Sequence, residues 1–442
     1  MHIVLLGNGI TGASAALRLR ELLPDARITM VSGESTHPWS RPALMYVALG
    51  QLGYRETKLH EDQVWRRARI ELVRGWVDRL DPSARRLGLV DGRELDYDAL
   101  LLATGAKAAR HGWPGQDLEG VQGFVTLMDL ERLSRNLEGA RRAVVVGGGL
   151  IGIELAEVLH DRGLDVTMLV REDRYWGNVL PHEEGALVGE ELARWGIGLR
   201  LGTELAELVD DGAGRVRAAR TGAGDELSCE LVGLTAGVVP NAALAAAAGL
   251  PVRRGVRVDA SLRTPVDGIW AAGDCAELTD GDGPGLVQQV WYTGKAQGEA
   301  AAASIAAALT GGEARAYAPG TWYNSAKFLD LEYQVYGDVA PDGDDPAGQR
   351  QVVWREGRRL LRLAHRDGVL EGVACLGLRL RHLVCEAWLH ERRDVPWVLE
   401  RLDEAVFDPE FTRPVTPSAA PALAAAFAAQ AQVLAAGGGG AR

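Results

Sequence analysis

The sequence predicts an α/β protein of several domains, with two parallel-sheet units and a smaller α+β domain toward its end. Two observations support this prediction. A glycine-rich string follows an apolar strand-like run twice, as Gly7–Gly12 after Ile3–Leu6 and as Gly147–Gly152 after Ala143–Val146. The 442 residues also exceed what one compact core usually holds, since domains commonly have ~100–200 residues.

Composition narrows the class of protein. The chain is 47% hydrophobic and 24% charged, which excludes disorder of the whole chain. Its net charge of −12 argues against a nucleic-acid partner. The sequence leads from Met1 directly into a strand, and no apolar run reaches the ~18–20 residues of a membrane span. We therefore expect a cytoplasmic protein without a signal peptide or membrane span, and an oligomer is possible.

The first unit is predicted to run strand, glycine loop, helix, strand. Ala13–Leu23 has helical apolar spacing, and Ile28–Val31 follows as a second strand. Such β-α-β units form parallel sheets with a right-handed crossover. The two prolines of Pro38–Pro42 then predict extended backbone. Leu100–Ala103 predicts a short buried strand that ends at Thr104-Gly105.

The second unit repeats this plan, with helix Ile153–Arg162 and strand Val166–Val170 after its glycine loop. Later the chain returns to a strand-like run at Ile269–Ala272, followed by a helix-prone segment from about 290 to 309. We infer that the second unit is inserted into the first. The predicted boundaries are 1–115 with 255–312 for the first unit, and 116–254 for the second.

A third, α+β domain is predicted over residues 313–416. Strand-like alternation occurs at Tyr333–Tyr336, Gln351–Trp354 and Leu360–Leu363, and a helix is predicted near His382–Glu391. Residues 417–442 form a tail rich in Ala and Gly. This tail has room for one Ala-rich helix, and its end is predicted to be flexible.

Both glycine loops are predicted to bind dinucleotides. A glycine loop between an apolar strand and a helix directs backbone N–H groups and the positive helix end at a pyrophosphate. The binding glycines are Gly7, Gly9 and Gly12 in the first loop and Gly147, Gly149 and Gly152 in the second.

A residue about 20 positions beyond the last glycine contacts the ribose. In the first unit this residue is Glu34, 22 positions beyond Gly12, which is either a ribose ligand or a solvated loop glutamate. In the second unit Arg171 lies 19 positions beyond Gly152, and Arg174 follows. Arginine there suits a 2′-phosphate and favours NADPH, while the adjacent Glu172-Asp173 leaves NADH open.

Several motifs in a fixed order resemble the FAD-dependent pyridine nucleotide-disulfide oxidoreductase superfamily. Besides the glycine loops these are Ser40–Leu44, Leu102–Gly105, Thr235–Asn241 and Ile269–Asp274. The resemblance covers residues 1–340 and looks closest to the rubredoxin- and ferredoxin-type NAD(P)H reductases. It implies two Rossmann-like three-layer dinucleotide-binding domains, the first for FAD and the second, inserted domain for NAD(P)H.

The resemblance also implies roles for individual residues. Arg41 would lie near the FAD phosphates, Pro42 near the flavin ring, and Asp274 on the ribitol or pyrophosphate side, where it also fits a helix N-cap. Glu154 would face the nicotinamide pocket, with an ordinary exposed glutamate as the alternative. The remaining FAD residues are Gly7, Gly9, Gly12, Glu34, Ala103, Thr104, Gly105 and Gly273. The remaining NAD(P)H residues are Gly147, Gly149, Gly152, Arg171, Arg174 and Gly237.

Two departures from the superfamily are informative. Residues 33–55 contain no cysteine, so the flavin-proximal thiol chemistry of disulfide reductases is impossible there. Cys275 is interpreted as a packing residue. Met45-Tyr46 stands where relatives often have Ser-Lys, so Tyr46 or Lys327 is expected to take the place of the missing lysine. The candidates near the flavin are thus Pro42, Tyr46, Glu154 and Lys327, none of them an obligatory acid or base.

The predicted activity is transfer of hydride from NAD(P)H to FAD and of electrons onward to a small ferredoxin- or rubredoxin-type protein. The alternatives are a quinone or small-molecule reductase and a flavin-based redox sensor.

Arginine clusters at 66–69 and 379–381 either dock an acidic carrier or form solvated faces. His382 and Cys385 share a ligand-like spacing, but no second pair is visible, so no metal site is predicted. Five aromatic residues either shape the acceptor site or pack the core, namely Trp291, Tyr292, Trp322, Tyr323 and Phe328.

Overall fold

The computed structural model describes residues 1–279, 281, 283–341, 348–407, 410 and 414–437. The chain forms two compact units. The first comprises residues 1–140, 210–216 and 230–319, and the second comprises residues 141–209, 217–229 and 320–442. The domain boundaries derived from the sequence stay a prediction.

The strands and helices follow in chain order. Up to residue 140 the strands are β1 (His2–Leu6), β2 (Arg27–Ser32), β3 (Ile70–Arg74), β4 (Val77–Asp81), β5 (Arg86–Leu89), β6 (Glu94–Asp96), β7 (Ala99–Leu102), β8 (Ala106–Ala108) and β9 (Val121–Gln122). The helices are α1 (Ile10–Leu22), α2 (Leu44–Ala48), α3 (Asp62–Arg67) and α4 (Leu127–Asn136), with 3-10 turns at Arg41–Ala43 and Tyr54–Thr57.

The middle of the chain continues the alternation. Its strands are β10 (Arg142–Val146), β11 (Asp165–Leu169), β12 (Gly198–Arg200), β13 (Leu205–Asp210), β14 (Val216–Thr221), β15 (Glu226–Ser228), β16 (Leu231–Leu234), β17 (Val238–Pro240), β18 (Val256–Val258), β19 (Ile269–Ala271) and β20 (Ala276–Leu278). Its helices are α5 (Leu150–Asp161), α6 (His182–Arg194), α7 (Ala243–Ala247) and α8 (Trp291–Thr310), with a 3-10 turn at Gly273–Cys275.

The last part of the chain has a different character. Its strands are β21 (Tyr323–Phe328), β22 (Leu331–Gly337), β23 (Arg350–Glu356), β24 (Arg359–Arg366) and β25 (Val369–Leu376). Its helices are α9 (His382–His390), α10 (Val395–Glu400), α11 (Leu402–Ala405) and α12 (Thr416–Gly437). Among the residues described, no helix has both the length and the apolar character to cross a membrane.

A parallel sheet organises the first unit, with strand order β19-β7-β1-β2-β3. β1 pairs in parallel with both β2 and β7, and β19 adds to β7. The late return of the chain to this sheet agrees with the predicted insertion. All four residues of β7 are buried, because helices cover both faces of such a sheet. The carboxyl ends of β1, β7 and β19 therefore meet at one edge.

The second unit contains a smaller parallel ladder and an antiparallel sheet. β10 pairs with β11 and β11 with β12, all in parallel. The antiparallel sheet has strand order β21-β22-β25-β24-β23, and α9 to α12 pack against its core through residues such as Cys385, Leu402 and Leu423. The fold class expected from the sequence is thus confirmed.

Helix α12 occupies most of the Ala- and Gly-rich segment that follows residue 416, where the sequence has room for one Ala-rich helix. Ala419 and Leu423 are fully buried in the C-terminal core. The Gln430 amide donates to the carbonyl oxygen of Gln351 at 2.8 Å. Residues 417–437 are therefore helical, and Ala419, Leu423 and Gln430 attach this helix to the C-terminal domain. The predicted flexible end falls on residues 438–442, which lie outside the described part of the chain.

Candidate functional site

The first glycine loop turns from β1 into α1. Gly7 has φ 117°, and a Cβ there would overlap the carbonyl oxygen of Ala103. A Cβ on Gly12 would likewise overlap the carbonyl oxygen of Gly7. Gly9 is the N-cap of α1, and its open side has no neighbouring atom within 4 Å. The loop is therefore a bare backbone cradle at a helix N-terminus, which suits a pyrophosphate.

The Ala103–Gly105 segment is clasped by Asn241. Thr104 Oγ1 donates to the carbonyl oxygen of Asn241 at 2.7 Å, and the Asn241 amide donates to the carbonyl oxygen of Gly105 at 2.8 Å. Gly237, predicted to serve NAD(P)H, lies in the same unit, and its carbonyl accepts from the Ala109 amide at 3.0 Å. Asn241 was absent from the predicted site, although it ends one of the motifs that suggested the family.

Glu34 is held by Arg41. The two side chains form a paired contact, with Arg41 Nη2 at 2.7 Å and Nη1 at 3.3 Å from the carboxylate oxygens. Glu34 also accepts from the Leu127 amide at 2.9 Å, and its side chain is only 12% exposed. The alternative of a solvated loop glutamate is therefore wrong. Arg41 further donates to the carbonyl oxygen of Val125 at 2.6 Å and lies over the Trp39 ring.

Asp274 lies in the 3-10 turn after β19, close enough for the charge of Arg41 to act on it. Burial raises the pKa of Asp274 to about 6, against the opposing influence of Arg41. The N-cap of this turn is Ala272 and makes no side-chain cap bond, so the N-cap alternative for Asp274 is wrong. Gly273 has φ 75°, and its amide donates to the buried Gln297 side chain at 2.8 Å.

The 3-10 turn at Gly273–Cys275 lies against helices α1 and α8. Cβ atoms on Gly273, Gly294 or Gly298 would all run into Thr11, which lies in the first turn of α1. The N-terminal turns of α1 and α8 therefore approach each other at backbone distance, as small residues permit. Asn8, inside the glycine loop, is buried and donates to the carbonyl oxygen of Ser35 at 3.1 Å. Sequence reasoning missed Thr11, Asn8 and Gln297, because only packing reveals their neighbours.

The segment around Pro42 corrects one prediction. Ser40 is extended, but Arg41–Ala43 forms a 3-10 turn that continues into α2. Proline fits the second position of such a turn because its missing N–H and fixed φ cost nothing there. Extended backbone across this segment was therefore wrong. Pro42 is exposed and Tyr46 is partly buried.

The second glycine loop turns from β10 into α5 with the same geometry. Gly147 has φ 118°, and Gly149 is the N-cap of α5. The Gly152 amide donates to the carbonyl oxygen of Gly149 at 3.1 Å. Next to it, a Cβ on Gly148 would lie 2.9 Å from the Val170 side chain. The two loops thus share one strand, glycine loop, helix arrangement.

Glu154 and Glu157 lie three residues apart on α5. Glu154 is partly buried, and burial together with the charge of Glu157 raises its pKa to about 7. The alternative of an ordinary exposed glutamate is wrong. Glu157 is buried and accepts from Lys327 Nζ at 2.6 Å. Lys327, predicted to lie near the flavin, is thus fixed against the helix of the second loop.

The two predicted 2′-phosphate arginines differ in their surroundings. Arg171 follows β11 with a side chain that is 72% exposed, and it pairs with Glu172 at 3.2 Å. Arg174 instead donates to the carbonyl oxygen of Gly177 at 2.6 Å. Arg171 therefore projects into solvent from the end of its strand, where a ribose is expected.

The five aromatic residues named as candidates differ in their burial and contacts. Phe328 is fully buried and packs edge-on against Tyr175 and Trp176, which supports a packing role. Tyr323 lies 4.0 Å from the His382 ring, whereas Trp322 is 39% exposed. Trp291 and Tyr292 contact each other edge-on.

The cysteines are enclosed and the predicted basic clusters are exposed. Cys229, Cys275, Cys375 and Cys385 are all buried, and none of the four forms a disulfide. His382 lies 3.7 Å from Glu386, and within the described residues no group of three or more His, Cys, Asp or Glu could hold a metal ion. The arginines at 66, 67, 69, 379 and 381 are exposed.

Two glycine loops with matched φ at Gly7 and Gly147, each leading from a strand into a helix N-terminus, are typical of dinucleotide-binding oxidoreductases with two nucleotide sites. The model of the pyridine nucleotide-disulphide oxidoreductase family matches residues 1–300. The chain belongs to this family.

Among similar proteins, rhodocoxin reductase of Rhodococcus erythropolis is 36% identical over 290 residues, covering 65% of this chain and 68% of the relative. The ferredoxin reductase component of chlorobenzene dioxygenase from Cupriavidus sp. (strain PS12) is 32% identical over 345 residues, covering 78% and 82%. The crystal structure of the ferredoxin reductase for the CYP199A2 system from Rhodopseudomonas palustris has a TM-score of 0.75 and 27% identity, covering 85% of this chain and 91% of that structure.

Proposed function

We propose that this protein is an NAD(P)H-dependent FAD oxidoreductase that passes electrons to a small ferredoxin-type iron–sulfur protein. The observation that carries the proposal is the pair of glycine loops with matched φ angles of 117° and 118°. At the first loop, Gly7 lies against the Ala103 carbonyl and Gly273, next to Asp274, lies against Thr11, while the charge of Arg41 acts on Asp274. Relatives named as ferredoxin reductase components support the choice of acceptor.

The residues of the first unit fit a resident FAD. Gly7, Gly9 and Gly12 would present the helix N-terminus to its pyrophosphate, and Arg41 would add a guanidinium held in place by Glu34. Bound FAD would supply the chemistry that accepts two electrons from a nicotinamide and releases them singly. Asp274 and the clasped Thr104-Gly105 segment would line the same cradle.

The residues of the second unit fit a nucleotide that comes and goes. Gly147, Gly149 and Gly152 would bind its pyrophosphate, and Glu154 would lie at the nicotinamide end. No cysteine occurs over residues 33–55, so no thiol there takes part in the transfer. The protein would supply distance, orientation and exclusion of water.

Anaerobic reduction tests this proposal directly. The purified protein should contain FAD, bleach near 450 nm on addition of NADH or NADPH, and be reoxidised rapidly by an oxidised [2Fe–2S] ferredoxin, which becomes reduced. Faster turnover with a quinone would refute the proposed acceptor. A flavin that no acceptor reoxidises would indicate a redox sensor.

The same assay tests the nucleotide preference. We propose NADPH because the exposed guanidinium of Arg171 stands where the ribose 2′ position is expected, with Arg174 three residues on. Arg171→Ala should then raise the KM for NADPH about tenfold and leave the KM for NADH almost unchanged. A wild-type protein with higher kcat/KM for NADH would overturn this preference.

A further inference from the structure

The two glycine loops differ in what faces their second glycine. In the first loop, nothing lies within 4 Å of the point where a Cβ on Gly9 would sit. In the second, Trp176 Nε1 lies 3.8 Å from the corresponding point on Gly149. Because φ is nearly equal at Gly7 and Gly147, the difference does not come from the loop backbone. It comes from the indole of Trp176.

Trp176 adopts a backbone conformation that bulky residues rarely take. Its φ is 48°, in the left-handed region that disfavours large side chains. Such a conformation persists only where the surroundings hold it, and it is found at ligand-binding sites more often than elsewhere. Here the carbonyl oxygen of Trp176 accepts from the amides of Val179 and Leu180, both at 2.9 Å. These bonds close the turn that leads toward α6.

The side chain of Trp176 is fixed as well. Its ring packs edge-on against Phe328 with centroids 6.0 Å apart. The neighbouring Tyr175 already fills the interior, since it is fully buried and packs on the same Phe328 ring at 6.2 Å. Trp176 remains partly exposed. Filling the core therefore does not explain why a tryptophan stands at this strained position.

The Trp176 indole N–H lacks a hydrogen-bond acceptor among the residues that the structure describes. An indole nitrogen is a donor only, and no residue in the described part of the chain accepts a hydrogen bond from Trp176 Nε1. The second glycine of such a loop is the point where the backbone approaches the pyrophosphate. A rigid donor 3.8 Å from that point is within reach of a phosphate oxygen bound there.

We propose that Trp176 is a binding residue of the second nucleotide site, and that its indole N–H donates to the pyrophosphate of NAD(P)H. This inference rests on the proposed function, because it assumes that the second loop binds NAD(P)H. Trp176 would then supply a side-chain donor that the first loop lacks at the matching position. The ligand class is a nucleotide carrying a pyrophosphate.

Calorimetric titration of the FAD-loaded protein with ADP-ribose tests the inference, because ADP-ribose carries the pyrophosphate without the nicotinamide. Trp176→Phe keeps the packing against Phe328 but loses the N–H, so Kd should rise about tenfold. Trp176→His retains a ring N–H and should recover part of the affinity. Trp195→Phe is the matched control, since its indole N–H contacts Glu191 and its ring lies beside His160 at the far end of α5. Its Kd should equal that of wild type.

Steady-state kinetics provide a second readout. If Trp176 binds ground state and transition state equally, Trp176→Phe raises the KM for NADH and leaves kcat unchanged. An unchanged or tighter Kd for ADP-ribose in Trp176→Phe, at wild-type thermal stability, would overturn the inference. If the wild-type protein itself neither binds ADP-ribose nor accepts electrons from NAD(P)H, the proposed function fails instead.

Discussion

Glu154→Gln isolates the electrostatic cost of placing a carboxylate in the second unit. Glu154 lies one turn before Glu157 on α5, and burial and that neighbouring charge raise its pKa to about 7. Glu154 in turn contributes to raising the pKa of Tyr175, and the neighbouring Glu157 is paired with Lys327. Glutamine keeps the size of the side chain and removes its charge.

The sign of the effect follows from proton binding. The carboxyl has an ordinary pKa of 4.5 in the unfolded chain and about 7 in the folded one. Between these values the folded state binds more protons, so wild-type stability falls as pH rises through this window. The full shift corresponds to about 3 kcal/mol, of which roughly 2.5 kcal/mol falls between pH 5 and pH 8. Glu154→Gln removes this loss.

Urea unfolding of the wild-type protein and of Glu154→Gln at pH 5 and pH 8 measures this pH-dependent loss of stability. The free energy of unfolding of Glu154→Gln, relative to wild type, should increase by about 2.5 kcal/mol from the lower to the higher pH. Glu299, exposed on α8, provides the control, and Glu299→Gln should differ from wild type by the same amount at both values. A pH-independent difference for Glu154→Gln would show that Glu154 is not held in a charge-disfavouring environment.

Three further predictions concern packing, cofactor and thiols. Arg362→Met should lower the free energy of unfolding in urea by about 3–5 kcal/mol, because it leaves the fully buried Glu184 carboxylate, 2.7 Å from Arg362 Nε, without its cation. The double variant Arg362→Met with Glu184→Leu should recover most of the lost stability. Equal losses of stability in the single and double variants would contradict this reasoning. Gly7→Ala should abolish retention of FAD, measured as the ratio of absorbance at 450 and 280 nm, because its Cβ meets the Ala103 carbonyl; full flavin content would refute it. Iodoacetamide should leave NAD(P)H-dependent dye reduction intact, since burial raises the pKa of Cys275 and brings that of Cys385 to about 12; rapid inactivation would show an accessible reactive thiol.

The units around the glycine loops could be predicted from the sequence because their determinants are local. A strand, a turn that needs positive φ at glycine, and a helix are set by residues a few positions apart. The structure places Gly7 and Gly147 at φ 117° and 118°, at the ends of strands whose bounds differ from the predicted ones by a residue or so. The return of the chain to the first sheet at Ile269 could also be predicted, because an apolar run begins there and ends in the Gly273-Asp274 pair of a family motif.

The partners of individual side chains could not be predicted from the sequence. Glu34 pairs with Arg41 and the start of α4, and Lys327 pairs with Glu157, 170 positions away. The Ala-rich run at 416–437 gave no sign that Leu423 would be buried. Each of these contacts depends on how separate elements pack, and composition or spacing carries no record of that.

The sequence by itself determined the two strand, glycine loop, helix units and the family to which the chain belongs, because glycine conformations and strand–helix order are encoded over short distances. The tertiary structure alone decided the raised pKa of Glu154, the partners of Glu34 and Lys327, and the position of the Trp176 indole beside Gly149. The physical reason is that burial and charge pairing are properties of three-dimensional neighbourhoods, which form only when distant segments pack together.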